Sequence, residues 1–446
     1  MKEIGTFNDE KVPSHKRKLF NQKGCDEKEY PNVRDKTGDD EQTQGKRLKA
    51  ESKPDDTVKT SKRQSYLSWD EYFLSIALLS SKRSKDPDSP SGACIVDKYN
   101  RVVAVGYNGF PKGCSDTIFP WQTGKSKTDL HSKEPYVCNS ITNAICNKCS
   151  DDVAGCRLYV MSFPGSDDAK VIIQSRIKEV VILQTRETLD FESPSCDEQA
   201  SRILLDMANV RVRYYKPSIP SITLNFLAES SSNLIDKPSQ EPSHNDLLAI
   251  STSQKESRAS QLLLEEAKYD VSNIPDNGRR KDYISWQDYF MAMAFLTAER
   301  SKDPNTQVGA CIVDSEKRII GLGYNGFPQG CSDLQLPWAR GNKNPLDNKY
   351  LYVCHAEVNA IMNKGSANVK GSTIFVALFP CENCAKMIIQ SGIKEVVYMS
   401  DCYHDTDGAR ASRIMFQCAN VTLRQYVPTM QELILDLTMG NQYGAK

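Results

Sequence analysis

The stretch YVCHAEVNAI at residues 352–361 has a close counterpart in YVCNSITNAI at residues 136–145. Apolar and helix-forming positions agree between the two, but His355 and Glu357 of the later stretch are replaced by asparagine and isoleucine. The earlier stretch keeps the pattern that builds a helix and loses the side chains that bind metals or carry protons. A comparison of the two copies therefore indicates how the chain is organised and where its chemistry lies.

The similarity between the two copies extends well beyond this stretch. The matching pairs, with the number of the first residue, are SWDEYF at 68 and SWQDYF at 285, GACIVD at 92 and 309, GYNGFPKGCSD at 106 and GYNGFPQGCSD at 323, and IQSRIKEVV at 173 and IQSGIKEVV at 389. The first three pairs lie 217 residues apart and the last pair 216. Matches of this length in one order indicate two homologous domains in tandem.

Composition places the boundaries of these domains. Residues 1–64 are rich in charged and polar side chains and poor in branched apolar ones, so they cannot offset the entropy of ordering. The segment 217–280 contains several prolines and a serine run, which are typical of a linker. The predicted division is a disordered tail at 1–64, a first domain at 65–216, a linker at 217–280, a second domain at 281–428 and a C-terminal tail at 429–446.

Charge and hydropathy narrow the classes of partner. The chain has 57 basic and 57 acidic side chains, so its overall field favours neither polynucleotides nor anionic membranes. It has no run of about eighteen apolar residues, and its first residues lack the apolar core of a secretory signal. We expect a cytoplasmic or nuclear protein that is not secreted, with most of its 15 cysteines as reduced thiols. The basic clusters at 15–18 and 45–49 fit either a nuclear import signal or solvated charge.

The second copy alternates helical and strand patterns. Ser285 followed by Asp288 is typical of a helix start, and GACIVD with RIIGLGYN predicts an antiparallel hairpin. HAEVNAIMNK and CENCAKMIIQSG predict helices, the second ended by glycine, while STIFVALF and IKEVVYMS predict strands. This alternation predicts a central sheet with helices on both faces.

One set of side chains in the second copy has the spacing of a metal site. Cys381 and Cys384 lie three residues apart at the start of a predicted helix, so both thiolates can bind one ion. With His355 they make three ligands, which leaves a tetrahedral zinc one position for water. Glu357 follows close enough to exchange protons with that water. The alternatives are a structural zinc with a fourth ligand such as Cys354, or two buried cysteines without metal.

Residues 283–428 resemble the deoxycytidylate (dCMP) deaminases over nearly the whole length of such an enzyme. The motifs that carry the resemblance are YFMAMAFLTAERSKDP, VGACIVD, GYNGFPQGCSD, LPW, YVCHAEVNAIMNK, VALFPCENCAKMIIQSGIKEVV and MSDCYHD. The order His-x-Glu and then Pro-Cys-x-x-Cys is typical of nucleobase deaminases. The resemblance implies an α/β fold of the cytidine deaminase type, a three-layer αβα sandwich with a mixed five-stranded sheet, in two tandem copies.

The resemblance also implies roles for single residues. His355, Cys381 and Cys384 would bind one Zn²⁺ per chain, in the second domain, and Glu357 would be the general acid and base. Asn325 fits the position that contacts the sugar. Arg300 and Lys302 are candidate phosphate contacts because of their charge, or solvated residues at a helix end.

The first copy lacks this chemistry. Its counterparts of His355, Glu357, Cys381 and Cys384 are Asn139, Ile141, Gly165 and Asp168. We therefore expect a catalytically silent domain that still folds, packs on the live domain as a built-in subunit within a homo-oligomer, and binds a nucleotide effector. The alternative is a passive scaffold. The first copy also contains four further cysteines, Cys138, Cys146, Cys149 and Cys156. They could form a second metal site, but we favour buried thiols without metal.

The predicted activity is hydrolytic deamination of a cytosine nucleotide to the uracil nucleotide, with dCMP as the family's usual substrate. The nucleoside and the triphosphate remain open. The alternatives are deamination of cytosine in a polynucleotide, deamination of adenosine in transfer RNA, and a non-catalytic nucleotide-binding regulator. The predicted partner is thus a small cytosine nucleotide, with neither a membrane nor a polynucleotide expected.

Overall fold

The computed structural model describes residues 61–124, 129–185, 195–226, 277–340 and 345–438. The basic clusters and nearly all of the predicted disordered tail lie outside these residues, so their structure stays a prediction. No helix in the described ranges is both long enough and apolar enough to cross a membrane.

The first domain contains four helices and five strands within the described residues. They are α1 (Trp69–Ser81), β1 (Gly92–Val96), β2 (Val102–Tyr107), α2 (Ser140–Cys146), β3 (Arg157–Val160), α3 (Ser166–Gln174), β4 (Glu179–Leu183), α4 (Cys196–Met207) and β5 (Arg211–Tyr215), and a further strand, β6 (Ser221–Asn225), follows.

The second domain repeats this order. It comprises α5 (Trp286–Ala298), β7 (Gly309–Val313), β8 (Ile319–Tyr324), α6 (Ala356–Met362), β9 (Thr373–Leu378), α7 (Glu382–Gln390), β10 (Glu395–Ser400), α8 (Asp407–Cys418) and β11 (Thr422–Gln425), followed by β12 (Glu432–Asp436). Two 3₁₀ turns, Pro345–Asp347 and Lys349–Leu351, precede α6. The elements predicted from the second copy are all confirmed. The Ser285 side chain accepts a hydrogen bond from the amide of Asp288 and so caps α5.

Each domain is built on a mixed sheet of five strands. The strand orders are β2-β1-β3-β4-β5 and β8-β7-β9-β10-β11. In both sheets the first three strands are antiparallel and the last three parallel. The predicted fold class, a mixed five-stranded sheet between layers of helices in two copies, is confirmed. The parallel strands are joined by crossover helices, and these helices pack back on the sheet.

Strand β7 shows how the two faces of one sheet pack against two different layers of helices. Its side chains alternate, so Ala310 and Ile312 pack with α6, α7 and α8 while Cys311 and Val313 pack with α5. Gly309 allows α5 to lie close to the strand, since a Cβ there would stand 2.0 Å from the carbonyl oxygen of Ala294. The same sequence in β1 produces the same arrangement, with a Cβ on Gly92 1.9 Å from the oxygen of Ala77.

Helices α1 and α5 pack against each other and join the two domains into one core. The contacts between them are reciprocal, as in an interface between two identical subunits. The guanidinium of Arg83 lies 4.0 Å from the ring of Trp286, and that of Arg300 lies 3.9 Å from the ring of Trp69. These pairs occupy equivalent positions in the two copies. The domains are therefore related by a pseudo-twofold axis that runs between α1 and α5.

Buried hydroxyl groups follow the same symmetry. The Tyr72 hydroxyl hydrogen-bonds Thr297 Oγ1 at 3.0 Å, and the Tyr289 hydroxyl hydrogen-bonds Ser80 Oγ at 2.9 Å. Burial raises the pKa of Tyr72 and of Tyr289 well above the ordinary value, so both stay neutral in the interface. Each tyrosine hydroxyl pairs with a hydroxyl of the other domain, which makes the pairing of the domains specific.

The structure corrects the predicted linker and C-terminal tail. Strand β6 lies inside the predicted linker and β12 inside the predicted tail, and the two pair antiparallel with Thr223 opposite Ile434. Ile222 and Leu435 of this ribbon are buried in the shared core. The prediction missed these strands because each is short and, among the described residues, pairs with no strand except the other.

The segments that lead into each domain are also ordered on the other domain. The amide of Arg63, within the predicted tail, donates to the carbonyl of Lys302 at 2.9 Å. Equivalently, the amide of Arg280 donates to the carbonyl of Lys85 at 2.9 Å. The domain boundaries drawn from composition therefore exclude residues that help to hold the pair together.

The reciprocal interface predicts how the second domain behaves without the first. Residues 277–438 alone should form a homodimer through α5, because a second copy offers Trp286 in place of Trp69 and Thr297 in place of Ser80. Light scattering coupled to gel filtration measures the mass. The variant Tyr289→Glu in the same fragment should prevent dimer formation by placing a charge in the interface. A fully soluble monomer of the unmodified fragment would contradict this prediction.

Candidate functional site

The predicted metal ligands stand at two helix starts. His355 is the N-cap residue of α6, and Cys381 is the N-cap residue of α7, which begins directly after β9. Neither side chain caps its own helix by a hydrogen bond. Cys384 lies one turn further along α7 and is buried. The backbone thus aims three side chains at one point, and none of them is used to satisfy its own helix.

The geometry of these three residues fits a zinc ion. His355 Nδ1 lies 3.5 Å from Cys381 Sγ and 3.4 Å from Cys384 Sγ. Ligands at usual Zn–N and Zn–S lengths in a tetrahedron are separated by about 3.6 Å. Among the residues that the structure describes, this is the single group of three such side chains close enough to share an ion. Three ligands leave a fourth tetrahedral position free, as catalytic zinc sites require.

The protonation of the three ligands is strongly coupled. Hydrogen bonding from Cys384, together with that from His355, lowers the pKa of Cys381 to about 3. The same contact with Cys381 raises the pKa of His355 to about 9 and raises the pKa of Cys384 above its ordinary value. Because zinc binds the deprotonated forms, its binding here releases protons.

Glu357 lies in the first turn of α6, two residues after His355 and beside the ligands. Its side chain is buried, with 5% of the residue exposed, and burial raises the pKa of its carboxyl group. It lines a cavity of about 290 Å³ together with His355 and Cys381. A carboxyl group with a raised pKa at the wall of a cavity is suited to take up a proton and return it.

The other wall of this cavity holds a buried ion pair that the sequence analysis did not identify. Lys349 Nζ lies 2.6 Å from both carboxylate oxygens of Asp303, and each side chain is 2% exposed. Both residues line the cavity. The repeat could have revealed this pair, because the first domain has the same two residue types, Asp86 and Lys133, at the equivalent positions.

Asn325, the predicted sugar contact, lies in the wall of the same cavity. Its side-chain oxygen accepts from the amide of Val308 at 2.9 Å, and its nitrogen donates to Thr306 O at 2.9 Å and to Asp303 at 3.3 Å. Asn325 therefore holds the loop 303–308 against β8. Its role toward a sugar stays a prediction.

The predicted phosphate contacts lie elsewhere. Arg300 is 4% exposed, donates to the carbonyl of Leu67 and stacks on Trp69, so it belongs to the domain interface. Lys302 forms an ion pair with Asp333 and lies 4.9 Å from the ring centre of Tyr66. Neither residue lines the cavity. This placement corrects the prediction: charge suggested a ligand contact, whereas both cations are occupied by contacts that hold the domains together.

The first domain keeps the geometry of the site without its chemistry. Asn139 is the N-cap residue of α2, and its Nδ2 donates to both carboxylate oxygens of Asp168 at 3.2 Å. Ile141 takes the buried position of Glu357. A hydrogen bond between two side chains has thus replaced the group that could hold a metal, and no side chain that carries protons remains at the position of Glu357.

A second exchange closes the metal position in the first domain. A Cβ added to Gly165 would stand 2.7 Å from Asp197 Oδ2, so the Asp197 carboxylate occupies the space of the missing cysteine. This carboxylate accepts from Ser166 Oγ at 2.6 Å. In the second domain Gly408 replaces Asp197, and the side chain of Glu382 covers it. Polar contacts have therefore taken the positions of the metal ligands in the first domain.

The other cysteines do not form a metal site within the described part of the chain. Cys138, Cys146, Cys149 and Cys156 are not close enough to share an ion. Cys149 donates to the carbonyl of Val103 at 3.0 Å, and burial raises its pKa to about 11. Cys354, the alternative fourth ligand, is likewise not part of the group around His355.

Comparison with known proteins places this fold and site in one class. The family model described as "Cytidine and deoxycytidylate deaminase zinc-binding region" matches residues 67–184 and 284–400, more than half of the 446-residue chain. The chain therefore belongs to the cytidine and deoxycytidylate deaminase family. This confirms the family expected from the motifs, and it identifies both domains as copies of a zinc-binding region.

Single relatives match one domain length. The chain is 63% identical over 163 residues to a deoxycytidylate deaminase of Pongo abelii and 61% identical over 163 residues to that of Homo sapiens, in each case 36% of this chain and 92% of the relative. A probable deoxycytidylate deaminase of Drosophila melanogaster is 47% identical over 171 residues, 37% of this chain and 84% of the relative. Among solved structures, the dCMP deaminase of cyanophage S-TIM5 in complex with dCMP and dUMP is 31% identical, covers 31% of this chain and 93% of its own, and has a TM-score of 0.26.

The exchange at Asp197 generates a prediction about metal content. Replacing Asn139→His, Ile141→Glu, Gly165→Cys and Asp168→Cys together should leave the zinc content per chain unchanged, because Asp197 blocks the new cysteine. Adding Asp197→Gly should raise it by one ion per chain. Elemental analysis of dialysed protein measures the ratio, and Asp197→Gly alone is the control. An extra zinc with the first four changes alone would contradict the role of Asp197.

Proposed function

We propose that the second domain catalyses zinc-dependent hydrolytic deamination of a cytosine nucleotide, with dCMP as the preferred substrate and one zinc ion per chain. The observation that carries this proposal is the convergence of His355, Cys381 and Cys384 on one point beside the buried Glu357. The relatives named deoxycytidylate deaminases support dCMP as the substrate. The first domain, with Asn139 and Ile141 at the equivalent positions, is proposed to be catalytically silent.

Each group at the site has a defined part in this reaction. Zinc held by the three ligands supplies a Lewis acid that lowers the pKa of water, so that the nucleophile exists near neutral pH. Glu357 takes up the two protons of the attacking water in turn as its oxygen bonds to C4, and delivers one to the ring nitrogen N3 and one to the departing amine. The C4–N bond breaks, ammonia leaves and the uracil carbonyl remains. The raised pKa of Glu357 suits it to both steps, since its buried carboxyl group holds a proton more readily than an exposed one does.

The opposite wall of the cavity positions the substrate. Asn325 and Asp303 are fixed by their mutual hydrogen bond and by Lys349, so this wall is rigid before a ligand enters. A preformed wall reduces the entropy lost on binding. We propose that it places the sugar and so keeps C4 of the base next to Glu357.

The first domain is proposed to act as a built-in subunit. It covers α5 of the live domain by the reciprocal contacts of α1, and β6 supplies the only strand that pairs with β12 among the described residues. It thereby shields side chains of the live domain such as Tyr289, which contacts Ser80 and would otherwise face water. Further assembly of whole chains and a location in cytoplasm or nucleus remain part of this proposal.

Glu357→Gln should abolish activity and keep the metal. The amide is of the same size but cannot carry a proton, so turnover of dCMP should fall by about a hundred to ten-thousandfold. Elemental analysis should still give one zinc per chain, whereas Cys384→Ser should lose both zinc and activity. Asn139→Asp in the silent domain serves as the matched control and should retain normal turnover. Full activity of Glu357→Gln would refute its role as the proton carrier.

A comparison of substrates tests the proposed class. Purified protein should show its highest specificity constant for dCMP when assayed separately with cytidine, dCMP, dCTP and a cytosine oligonucleotide. Release of ammonia or the change in ultraviolet absorbance measures each rate. A higher specificity constant for the oligonucleotide, with binding that weakens steeply as salt rises, would instead indicate a polynucleotide deaminase.

A further inference from the structure

The silent domain contains a cavity at the position where the live domain has its site. This silent cavity has a volume of about 530 Å³, compared with about 290 Å³ for the live one. Loss of the metal ligands has therefore not been followed by collapse or by filling with apolar side chains. The volume lies within the range of roughly 300–1,000 Å³ that is usual for small-molecule sites.

The rigid wall of the live cavity is retained in the silent one. Lys133 Nζ lies 2.5 Å from Asp86 Oδ1, and both side chains are almost fully buried. Asn108 donates to Asp86 at 3.0 Å and accepts from the amide of Ser91 at 2.7 Å. These contacts match those of Lys349, Asp303 and Asn325. An isolated buried charge pair contributes little to stability, so its presence in both cavities is consistent with a shared ligand class.

The remaining walls have become more polar. The silent cavity carries Ser91, Glu134, Ser140 and Ser162 where the live domain has Val308, Tyr350, Ala356 and Leu378. Four groups that can hydrogen-bond have thus replaced aliphatic or aromatic surface. Such walls would be left unsatisfied by an apolar ligand, and they fit a ligand with several donors and acceptors.

The end of the cavity that faces the base is the most informative. In the live domain the attacking water must approach C4, so the amino group on C4 lies among Glu357 and the metal ligands. The same pose in the silent cavity places that group next to Asn139 and Asp168. Asn139 turns its nitrogen toward the Asp168 carboxylate, which leaves Asn139 Oδ1 as an acceptor for the amino group. The carboxylate oxygens of Asp168 are acceptors as well, and carboxylates pair with the amino group of cytosine in other settings.

We propose that the silent cavity binds a cytosine nucleoside without converting it, and that it discriminates this ligand from the corresponding uracil nucleoside. Uracil carries an oxygen on C4, which would face the oxygens of Asn139 and Asp168 without a hydrogen between them. Ile141 cannot transfer a proton, so the bound cytosine is not consumed. The proposal rests on the proposed function, because the pose of the base is taken from the reaction in the live domain.

The charge of the cavity favours the nucleoside over its phosphates. Glu134 stands where the live domain has Tyr350, and hydrogen bonds from Ser132 and from the amide of Gly124 hold the pKa of its carboxyl group below the ordinary value, despite partial burial. The one lysine of the cavity wall is already paired with Asp86. A phosphate beside Glu134 would meet an ionised carboxylate that the live cavity lacks at this position.

Hydrogen exchange of the full chain separates the two cavities. The experiment uses Glu357→Gln, so that no ligand is consumed, and compares deoxycytidine, deoxyuridine and dCMP by mass spectrometry of peptides. Deoxycytidine should protect peptides from 130–141 and 157–168 of the silent domain, with an apparent affinity about tenfold or more above that for deoxyuridine. dCMP should protect the silent peptides less than deoxycytidine does at the same concentration.

Two variants on this background test the assignment of residues. Asp168→Asn preserves size and offers a donor, so it should abolish the preference for deoxycytidine over deoxyuridine in the silent peptides. Asp206→Asn removes the same charge on the exposed face of α4 and should leave the preference unchanged. Ser162→Trp, at the exposed rim of the cavity, should remove protection of the silent peptides by blocking entry without disturbing the core.

The outcomes distinguish this proposal from the proposed function. Protection of peptides from 352–361 and 373–384 of the live domain, with none in the silent domain, overturns the proposal and leaves the proposed function intact. Equal protection of the silent peptides by deoxycytidine and deoxyuridine also overturns it. Absence of protection in both domains would count against the proposal and against the proposed function together.

Discussion

The reciprocal packing of α1 on α5 is the contact on which the rest of the structure depends. Each helix covers one face of its own sheet and at the same time faces the other domain, so the two domains share one apolar core. Arg83 and Arg300 are buried in this contact, and each finds an aromatic ring and a carbonyl oxygen on the opposite domain. Removing either domain would leave a buried cation without these partners unless a second copy of the remaining domain took its place.

The two equivalent sites show how one backbone can carry different side chains at the same positions. In the first domain the site lies at the starts of α2 and α3, and in the second domain it lies at the starts of α6 and α7. The backbone of the site is therefore the same in the two domains. Chemistry differs only in the side chains placed there. The loss of the ligands is compensated by Asn139 with Asp168 and by Asp197 over Gly165, which satisfy polar groups that would otherwise be buried without partners.

The buried pair of Lys349 and Asp303 links the fold to the site. It stands between the 3₁₀ turn before α6 and the loop after α5, and Asn325 joins it to the end of β8. In the first domain Lys133, Asp86 and Asn108 make the equivalent contacts. This constraint holds the cavity wall at a fixed distance from the helix that carries His355 and Glu357, so the position of a bound ligand is set before the reaction begins.

The sequence by itself determined the two homologous copies, the order of their helices and strands and the family, because local periodicity and motif spacing are properties of neighbouring residues. It also predicted the metal ligands and a silent first copy, and these two points stay predictions. It could not determine that β6 pairs with β12, or that Arg300 packs on Trp69 rather than facing a ligand, because these contacts join residues more than two hundred positions apart. The ion pair of Lys349 with Asp303 escaped detection for a related reason, because its residues lie 46 positions apart and no local pattern shows that they meet. Only the tertiary structure decided which charged side chains line the cavity and which are buried between the domains. The charge of a residue does not show which part of the fold its side chain faces.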